Sequence, residues 1–358
     1  MSAEVAAGLP LPATGILSDA RARRVVRFSL GVTLATGLAY LIGFELEFLV
    51  PLLVAVLLGS AAPCPTFRVG SEFVAAVAAG AFVGVVLTRY LLQFPLIFLL
   101  IEFLVLYRIF YALAGGASPL RMIWLLIAAL IIPLMGLSSM GLSVGVALGL
   151  VKGAAIAVSV VWLSFGLLPD LQAPEAPTTG ELKPKPAKQT PPPEARAAYA
   201  RRAVTVVFPL LVLFYVKAWT GDAVVLVYAG ILALLPSFAA GWNQGKTMVA
   251  GNLLGGVTAI VVYNLLLIWP SITTFLLLTF VVGLVYAEVI FSDRKVAPLF
   301  KTAFNAVVLL VGMSVASTTA DASSKFYTRI VQIMLAVLYV AAAFGWLEYL
   351  QRKRMNSA

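Results

Sequence analysis

The sequence predicts an all-α polytopic membrane protein, with about twelve transmembrane helices arranged as two parallel repeats of six. Apolar residues make up 62% of the chain and charged residues only 11%, and the mean hydropathy is +1.03. Continuous apolar runs of spanning length recur from end to end, whereas barrel strands would alternate apolar and polar residues. One polar, proline-rich segment divides these runs into two sets.

That proline-rich segment, residues 170–198, predicts a solvated linker, because closely spaced prolines and charges cannot form a helix or a packed core. Residues 1–22 lack a long apolar run and predict a disordered cytoplasmic tail. The remaining two parts, residues 23–169 and 199–358, are each expected to form a six-helix transmembrane repeat.

Apolar runs predict spans in both parts of the chain. The first set falls at residues 27–44, 48–64, 71–92, 95–114, 121–137 and 142–168. The second set falls at residues 202–219, 222–241, 247–268, 271–291, 300–317 and 328–348.

Lysine and arginine concentrate on one side of this predicted topology, the side that also carries both termini and the linker. The positive-inside rule makes that side cytoplasmic. The net charge of +10 is then a consequence of topology, so we expect no binding to nucleic acid.

Short motifs recur in the two parts at matching places. An arginine pair precedes the first run of each part, an aromatic residue with proline separates the third and fourth runs, and a proline precedes the fifth. These pairs are Arg23-Arg24 and Arg201-Arg202, Phe94-Pro95 and Trp269-Pro270, and Pro119 and Pro298. Because each part has an even number of spans, the two repeats are expected to insert in the same direction.

Several stretches resemble the fusaric acid resistance-like, aromatic acid exporter family, and within it a short bacterial subgroup of unknown function. They are RRVVRFSLGVTLATGLAYLIG, PCPTFRVG, GNLLGG, IFSDRKVAPLFKTAF and TRIVQIMLAVLYV. The resemblance implies a multi-pass component of the bacterial inner membrane that exports small aromatic or amphipathic carboxylates. It also implies a periplasmic HlyD-type adaptor as partner, and the linker stands where larger members carry a cytoplasmic domain.

Glycines at four-residue spacing predict close helix packing, since residues four apart share one helix face. They serve either static packing or a surface on which helices rock, and the last set could equally form a homo-oligomer contact. The three sets are Gly80 and Gly84, Gly251 and Gly255, and Gly141, Gly145, Gly149 and Gly153.

Two charged residues, Lys152 and Glu102, fall near the middle of predicted spans. Lys152 in mid-span is expected to face a cavity or a partner, because a lysine there costs about 2.5–3.5 kcal/mol on insertion scales. One hypothesis makes Lys152 a site for a small anionic substrate and Glu102 the carrier of a coupling proton. The alternative is a buried Lys152–Glu102 pair that only fixes helix register.

Three further polar residues are weaker candidates for substrate binding. Arg108 could hold an anionic substrate or could extend to the lipid headgroups. Asn252 and Asn305 could line a cavity or hydrogen-bond between helices.

Signatures of catalysis are absent from the sequence. The chain has no histidine and one cysteine, and it lacks phosphate-binding, HExxH and GxSxG motifs. We therefore expect no enzyme, no catalytic residue, no metal and no cofactor. The sequence favours an exporter driven by the proton motive force, and the alternative is a membrane scaffold that holds the adaptor without transporting anything.

Overall fold

The architecture is entirely helical across the part of the chain that the structure, a computed structural model, describes. These residues are 19–44, 46–60, 62–170, 191–234, 238–316, 331–332, 334–340 and 342–346. The helices of the first part are α1 Ala20–Ile42, α2 Leu49–Leu58, α3 Phe67–Val86 with a π-helical extension Leu87–Leu91, α4 Pro95–Ala114, α5 Pro119–Gly136 and α6 Met140–Leu167. Those of the second part are α7 Pro193–Lys217, α8 Ala223–Ala233, α9 Phe238–Ile268, α10 Ile272–Ile290, α11 Ala297–Ala316 and a last helix, α12, Met334–Trp346.

Nine of the helices in the described ranges are long and apolar enough to cross a bilayer. They are α1, α3 with its extension, α4, α5, α6, α7, α9 from Gly245, α10 and α11 up to Ser314. Because an apolar helix satisfies all its backbone hydrogen bonds internally, such helices are suited to span lipid. The chain is a multi-pass membrane protein, as its composition predicts.

The second helix of each part is shorter than the sequence predicts. The expected span 48–64 ends at Leu58, because Gly59 caps α2 and the chain then runs through Pro63 and Pro65, which cannot continue a helix. With 10 residues, α2 is about 15 Å long, half the thickness of a hydrocarbon core.

α8 shows the same shortening. It has 11 residues and ends at Ala233, whereas the prediction extends the span to residue 241. Pro236 lies in the stretch that follows, and α9 begins at Phe238, nine residues before its predicted start at 247. The sequence prediction misplaced this boundary because glycine and polar residues around 241–246 favoured a loop, although they continue the helix.

The ends of the predicted linker are also structured. Asp170 lies three residues after the end of α6, and α7 already begins at Pro193, a residue type well suited to a first helical position. Most of the predicted linker, residues 171–190, lies outside the described residues, as do most of the predicted tail and the start of the predicted span 328–348.

Helices of the two parts pack against each other in matching pairs. α1 packs on α10 as α7 packs on α4, and α2 packs on α11 as α8 packs on α5. Within each part, α3 packs on α5 as α9 packs on α11. The central contacts of the molecule are therefore the pairs α1–α10 and α4–α7, which join one part to the other.

In each part, an arginine of the first helix stacks on a phenylalanine of the last helix described there. The guanidinium of Arg27 lies 3.7 Å from the ring centre of Phe165 on α6, and that of Arg202 lies 4.8 Å from the ring centre of Phe344. Arg27 is buried and also pairs with Asp170 at 2.8 Å, which fixes the chain where the linker begins. Cation–π stacking of this kind holds the last helix of each part against the first.

Glycines permit the closest helix contacts. A Cβ placed on Gly84 would lie 2.9 Å from Ile132 of α5, and one on Gly80 would lie 2.9 Å from Leu125. In the second part, a Cβ on Gly255 would lie 2.3 Å from the backbone oxygen of Ala303 on α11. Only glycine allows the backbones to approach this closely.

We predict that Gly255→Ala destabilises the protein, because the new methyl group meets backbone atoms of α11 that cannot rotate away. The expected loss is about 1–3 kcal/mol, as for other overpacked cores. Thermal unfolding of the detergent-solubilised protein measures it. Gly166→Ala on α6 is the matched control, since nothing lies within 4 Å of its added Cβ. An equal effect of the two substitutions would show that α9 and α11 are not packed as described.

Candidate functional site

Glu102 lies on the face of α4 that packs against α7. Phe98, Leu106 and Phe110 share that face at four-residue spacing, and all are buried. The sequence thus places one carboxyl group in an otherwise apolar helix face. Glu102 has an exposed fraction of 0%.

The carboxyl group of Glu102 has no hydrogen-bond partner among the described residues, for either of its oxygens. Such a group is unusual, because buried polar atoms are almost always paired. An ionised carboxylate without a partner costs far more in an apolar interior than the neutral acid does. The arrangement therefore suits a group that exchanges a proton when its surroundings change.

Tyr215 of α7 is a polar residue that interacts with Glu102 across the contact between α4 and α7. Its hydroxyl is buried and is also without a hydrogen-bond partner among the described residues. Its ring centre lies 4.9 Å from that of Phe98, one turn before Glu102, and the two acidic groups interact electrostatically. Sequence reasoning missed Tyr215, because a tyrosine near the end of an apolar helix is typical of an interfacial anchor.

The structure does not bring Lys152 and Glu102 together. Lys152 is exposed on α6, and α6 makes no contact with α4, so the alternative of a buried Lys152–Glu102 pair is wrong. Spacing along the sequence could not reveal this, because both residues lie near the middle of their spans. Lys152 forms no ion pair with a described residue and lies on the outer surface of the bundle.

Arg108 lies on the outward side of α4, above a groove between α3, α4 and α5. The groove is lined by Ala79, Gly80, Val83, Leu104, Val105, Ile109, Leu125 and Ala129. Arg108 is exposed and makes no ion pair with a described residue. A cation at the rim of an apolar groove can hold an amphipathic anion by its charged end and its apolar body at once.

The two candidate asparagines do not line this groove. Asn252 is buried and its side-chain amide donates to the carbonyl of Met248 at 2.8 Å, within its own helix. Asn305 is half-buried on α11. Neither asparagine is close to Glu102. Asn252 is on α9 and Asn305 is on α11, and neither helix contacts α4.

The glycines of α6 do not act as one stripe. Gly149 and Gly153 lie against Leu46 and Leu49, where an added Cβ would come within 2.7 and 3.0 Å. Gly141 is exposed, and only one atom comes as close as 4.0 Å to its added Cβ. Gly145, between them, is half-buried. Gly251 packs on α11, where Thr302 would lie 2.8 Å from its Cβ.

Comparison with known proteins assigns no activity. Residues 24–164 match the model of a protein family of unknown function, DUF2955. This match covers the first part of the chain, from the start of α1 to near the end of α6. No curated protein and no solved structure matches the chain.

We predict that Glu102→Leu stabilises the protein, because leucine fills the same space and leaves no unpaired polar atom. The expected gain in the free energy of unfolding is about 1–3 kcal/mol. Glu102→Gln should gain little, since its amide is equally unpaired.

The measurement is thermal unfolding of both variants beside Glu288→Gln. Glu288 is a 60% exposed side chain paired with Arg21, so its loss should change stability by less than about 0.5 kcal/mol. A clear loss of stability in Glu102→Leu would mean that the carboxyl group supports the fold.

Proposed function

We propose that this chain exports small amphipathic carboxylates, aromatic ones foremost, across the bacterial inner membrane and that an inward flow of protons drives it. The observation that carries the proposal is Glu102, a carboxyl group enclosed between α4 and α7 without a hydrogen-bond partner among the described residues. Ionisable residues inside membrane spans are rare and mark proton or substrate paths. The proposal assigns transport to the chain, and no catalysis.

Glu102 is suited to couple protons to transport because of its position. The contact between α4 and α7 joins the two parts of the chain, so a movement of one part against the other changes the surroundings of its carboxyl group. In the closed contact the neutral acid is favoured, and in a contact opened to water the group can release its proton. The buried hydroxyl of Tyr215, which also has no hydrogen-bond partner among the described residues, interacts electrostatically with it.

The groove beneath Arg108 supports the choice of substrate. It offers an apolar wall for an aromatic ring or alkyl chain, and a guanidinium group that pairs well with a planar carboxylate. It opens on the outer surface of the bundle, where an amphipathic anion in the lipid could enter.

The matching helix contacts support two parallel six-helix repeats. Five kinds of contact recur between the parts: first helix on second, third on fifth, fourth on fifth, first on the other part's fourth, and second on the other part's fifth. Each part also has one arginine of its first helix stacked on a phenylalanine, Arg27 on Phe165 and Arg202 on Phe344, although the two arginines do not match in the sequence motifs. Two repeats inserted in the same direction form an exporter when one part rocks against the other.

The arginine-rich end of the bundle is proposed to be cytoplasmic, with both termini on that side. Arg21 at the start of α1 pairs with Glu288 at the end of α10. Arg68 at the start of α3 and Arg121 at the start of α5 both pair with Glu72. These helix ends form the arginine-rich end of the bundle. The positive-inside rule orients this end to the cytoplasm.

An HlyD-type periplasmic adaptor remains the proposed partner. A scaffold that binds this adaptor without transport is the alternative, and the position of Lys152 favours it. An exposed lysine well inside an apolar helix needs a partner carboxylate or must extend to the headgroups. A membrane helix of the adaptor, or a second copy of this chain, could supply that carboxylate.

We predict that Glu102→Gln abolishes proton-driven transport but preserves exchange. The amide cannot carry a proton, so accumulation of a fluorescent naphthoate in inverted proteoliposomes should fall to background under an imposed pH gradient. Exchange of labelled for unlabelled naphthoate requires no net proton movement and should continue. Full accumulation by the variant would contradict the role of Glu102, and a wild-type chain that moves no naphthoate would favour the scaffold.

We predict that Arg108→Gln raises the KM for naphthoate about tenfold, since a charge-assisted hydrogen bond is lost. Arg108→Lys should recover part of the affinity. Arg89→Gln is the matched control, because Arg89 is an exposed arginine in the π-helical extension and does not line the groove. An equal KM for Arg108→Gln and the wild type would place the substrate elsewhere.

A further inference from the structure

A cavity of about 690 Å³ lies between α7, α8 and α12 in the second part of the chain. Cavities of this volume are typical of sites for small organic molecules. Neither Glu102 nor Arg108 borders it. Its wall is formed by Leu210, Phe214, Trp219, Asp222, Val225, Val331, Gln332, Leu335 and Tyr339.

The cavity lies at the end of the bundle opposite the arginine-rich end. Arg23 donates to the carbonyl of Pro169, so the last residues after α6 lie at the arginine-rich end. Ser138, which precedes α6 at its other end, donates to the hydroxyl of Thr220 at 3.1 Å. Thr220 belongs to the α7–α8 loop, which contributes two residues to the cavity wall. The cavity is therefore on the side for which we propose the periplasm.

The wall has a buried apolar floor and an aromatic mouth. Leu210, Phe214 and Val225 are buried, whereas Trp219 and Leu335 are exposed. The rings of Phe214 and Trp219 meet at an angle of 85°, with their centres 5.7 Å apart. A ligand could therefore place an apolar body against the floor and keep a charged group near the mouth.

Asp222 contributes a carboxylate to this wall. It directly precedes α8, where an aspartate side chain ordinarily accepts a hydrogen bond from the backbone of the first helical turn. Asp222 makes no such bond. Its Oδ1 instead accepts a hydrogen bond from Nε2 of Gln332 at 2.9 Å. This bond directs the carboxylate away from the start of α8 and towards the segment that precedes α12.

The charge of Asp222 is not balanced by a basic side chain among the described residues. Its Oδ2 accepts no hydrogen bond from a described residue. Lys217 at the end of α7 is exposed, does not line the cavity and forms no ion pair with a described residue. A cation in the cavity would meet an opposite charge, and an anion would meet a like charge.

We propose that this cavity binds a bulky hydrophobic cation. The positive charge lies beside the carboxylate of Asp222 and the ring of Trp219, and the apolar body lies against Phe214 and Tyr339. Tryptophan is the best aromatic partner of a cation, and the carboxylate adds a direct attraction. This site goes beyond the proposed export of carboxylates and does not depend on it.

The test is binding of tetraphenylphosphonium to the purified full-length chain in lipid nanodiscs, measured by equilibrium dialysis. Tetraphenylborate has nearly the same size and shape and the opposite charge, so it separates charge from apolar contact. Empty nanodiscs of the same composition give the partition of each probe into lipid. We expect saturable binding of the phosphonium only. It should also raise the unfolding temperature of the wild-type chain, because a ligand of the folded state stabilises it.

Asp222→Asn should weaken binding of tetraphenylphosphonium about tenfold, because it removes the charge and keeps an oxygen that accepts from Gln332. Trp219→Leu should weaken it about two- to fivefold, and Trp219→Phe should retain most of the affinity. Asp293→Asn is the matched control, since Asp293 is exposed in the turn after α10 and does not line the cavity.

Equal affinity of the wild type and Asp222→Asn for tetraphenylphosphonium would overturn the proposal, and so would saturable binding of tetraphenylborate that is equally tight. A wild-type chain whose unfolding temperature does not respond to the phosphonium would overturn it without any variant. The assay needs no pH gradient and no transport. A chain that binds the phosphonium but moves no naphthoate would retain this site and lose the proposed export function, and the reverse result would do the opposite.

Discussion

The close approach of α3 to α5 and of α9 to α11 is the constraint on which the rest of the structure depends. At Gly84 and Gly255 the neighbouring helix lies where a side chain would otherwise stand. Apolar side chains gain little by leaving lipid for protein, so membrane helices associate mainly through such close packing. These two seams set the position of α5 and α11, and each of these helices then contacts the short second helix of the other part.

Two helix pairs join the parts, α4–α7 and α1–α10. In each pair, the first helix of one part packs on the fourth helix of the other, but the residues at the two contacts differ in chemistry. Where α7 meets α4, Phe98 and Tyr215 fill the space and enclose Glu102. Where α1 meets α10, a small pocket remains, and Glu47 lies in its wall.

Charge is distributed in a way that the membrane dictates. Ion pairs such as Arg21–Glu288 and Arg68–Glu72 lie at the ends of helices, where water and headgroups reach them. Arg27 is buried, but it is paired with Asp170 and stacked on Phe165. Against this background Glu102, enclosed and without a described partner, contributes nothing evident to the fold. Because a carboxyl group without a partner is costly to bury, Glu102 is the residue on which the proposed function rests.

The sequence by itself determined the membrane class, most helix positions, the glycine positions at the α3–α5 and α9–α11 seams and Glu102 as a candidate, because these follow from local composition and spacing. It missed the short second helices and the early start of α9, where proline and capping outweigh hydropathy. Only the tertiary structure decided that Lys152 faces outward, that Tyr215 lies beside Glu102 and that Glu47 borders a pocket. The physical reason is that spacing places a residue on a helix face, whereas the helix that covers this face is chosen by packing between distant segments.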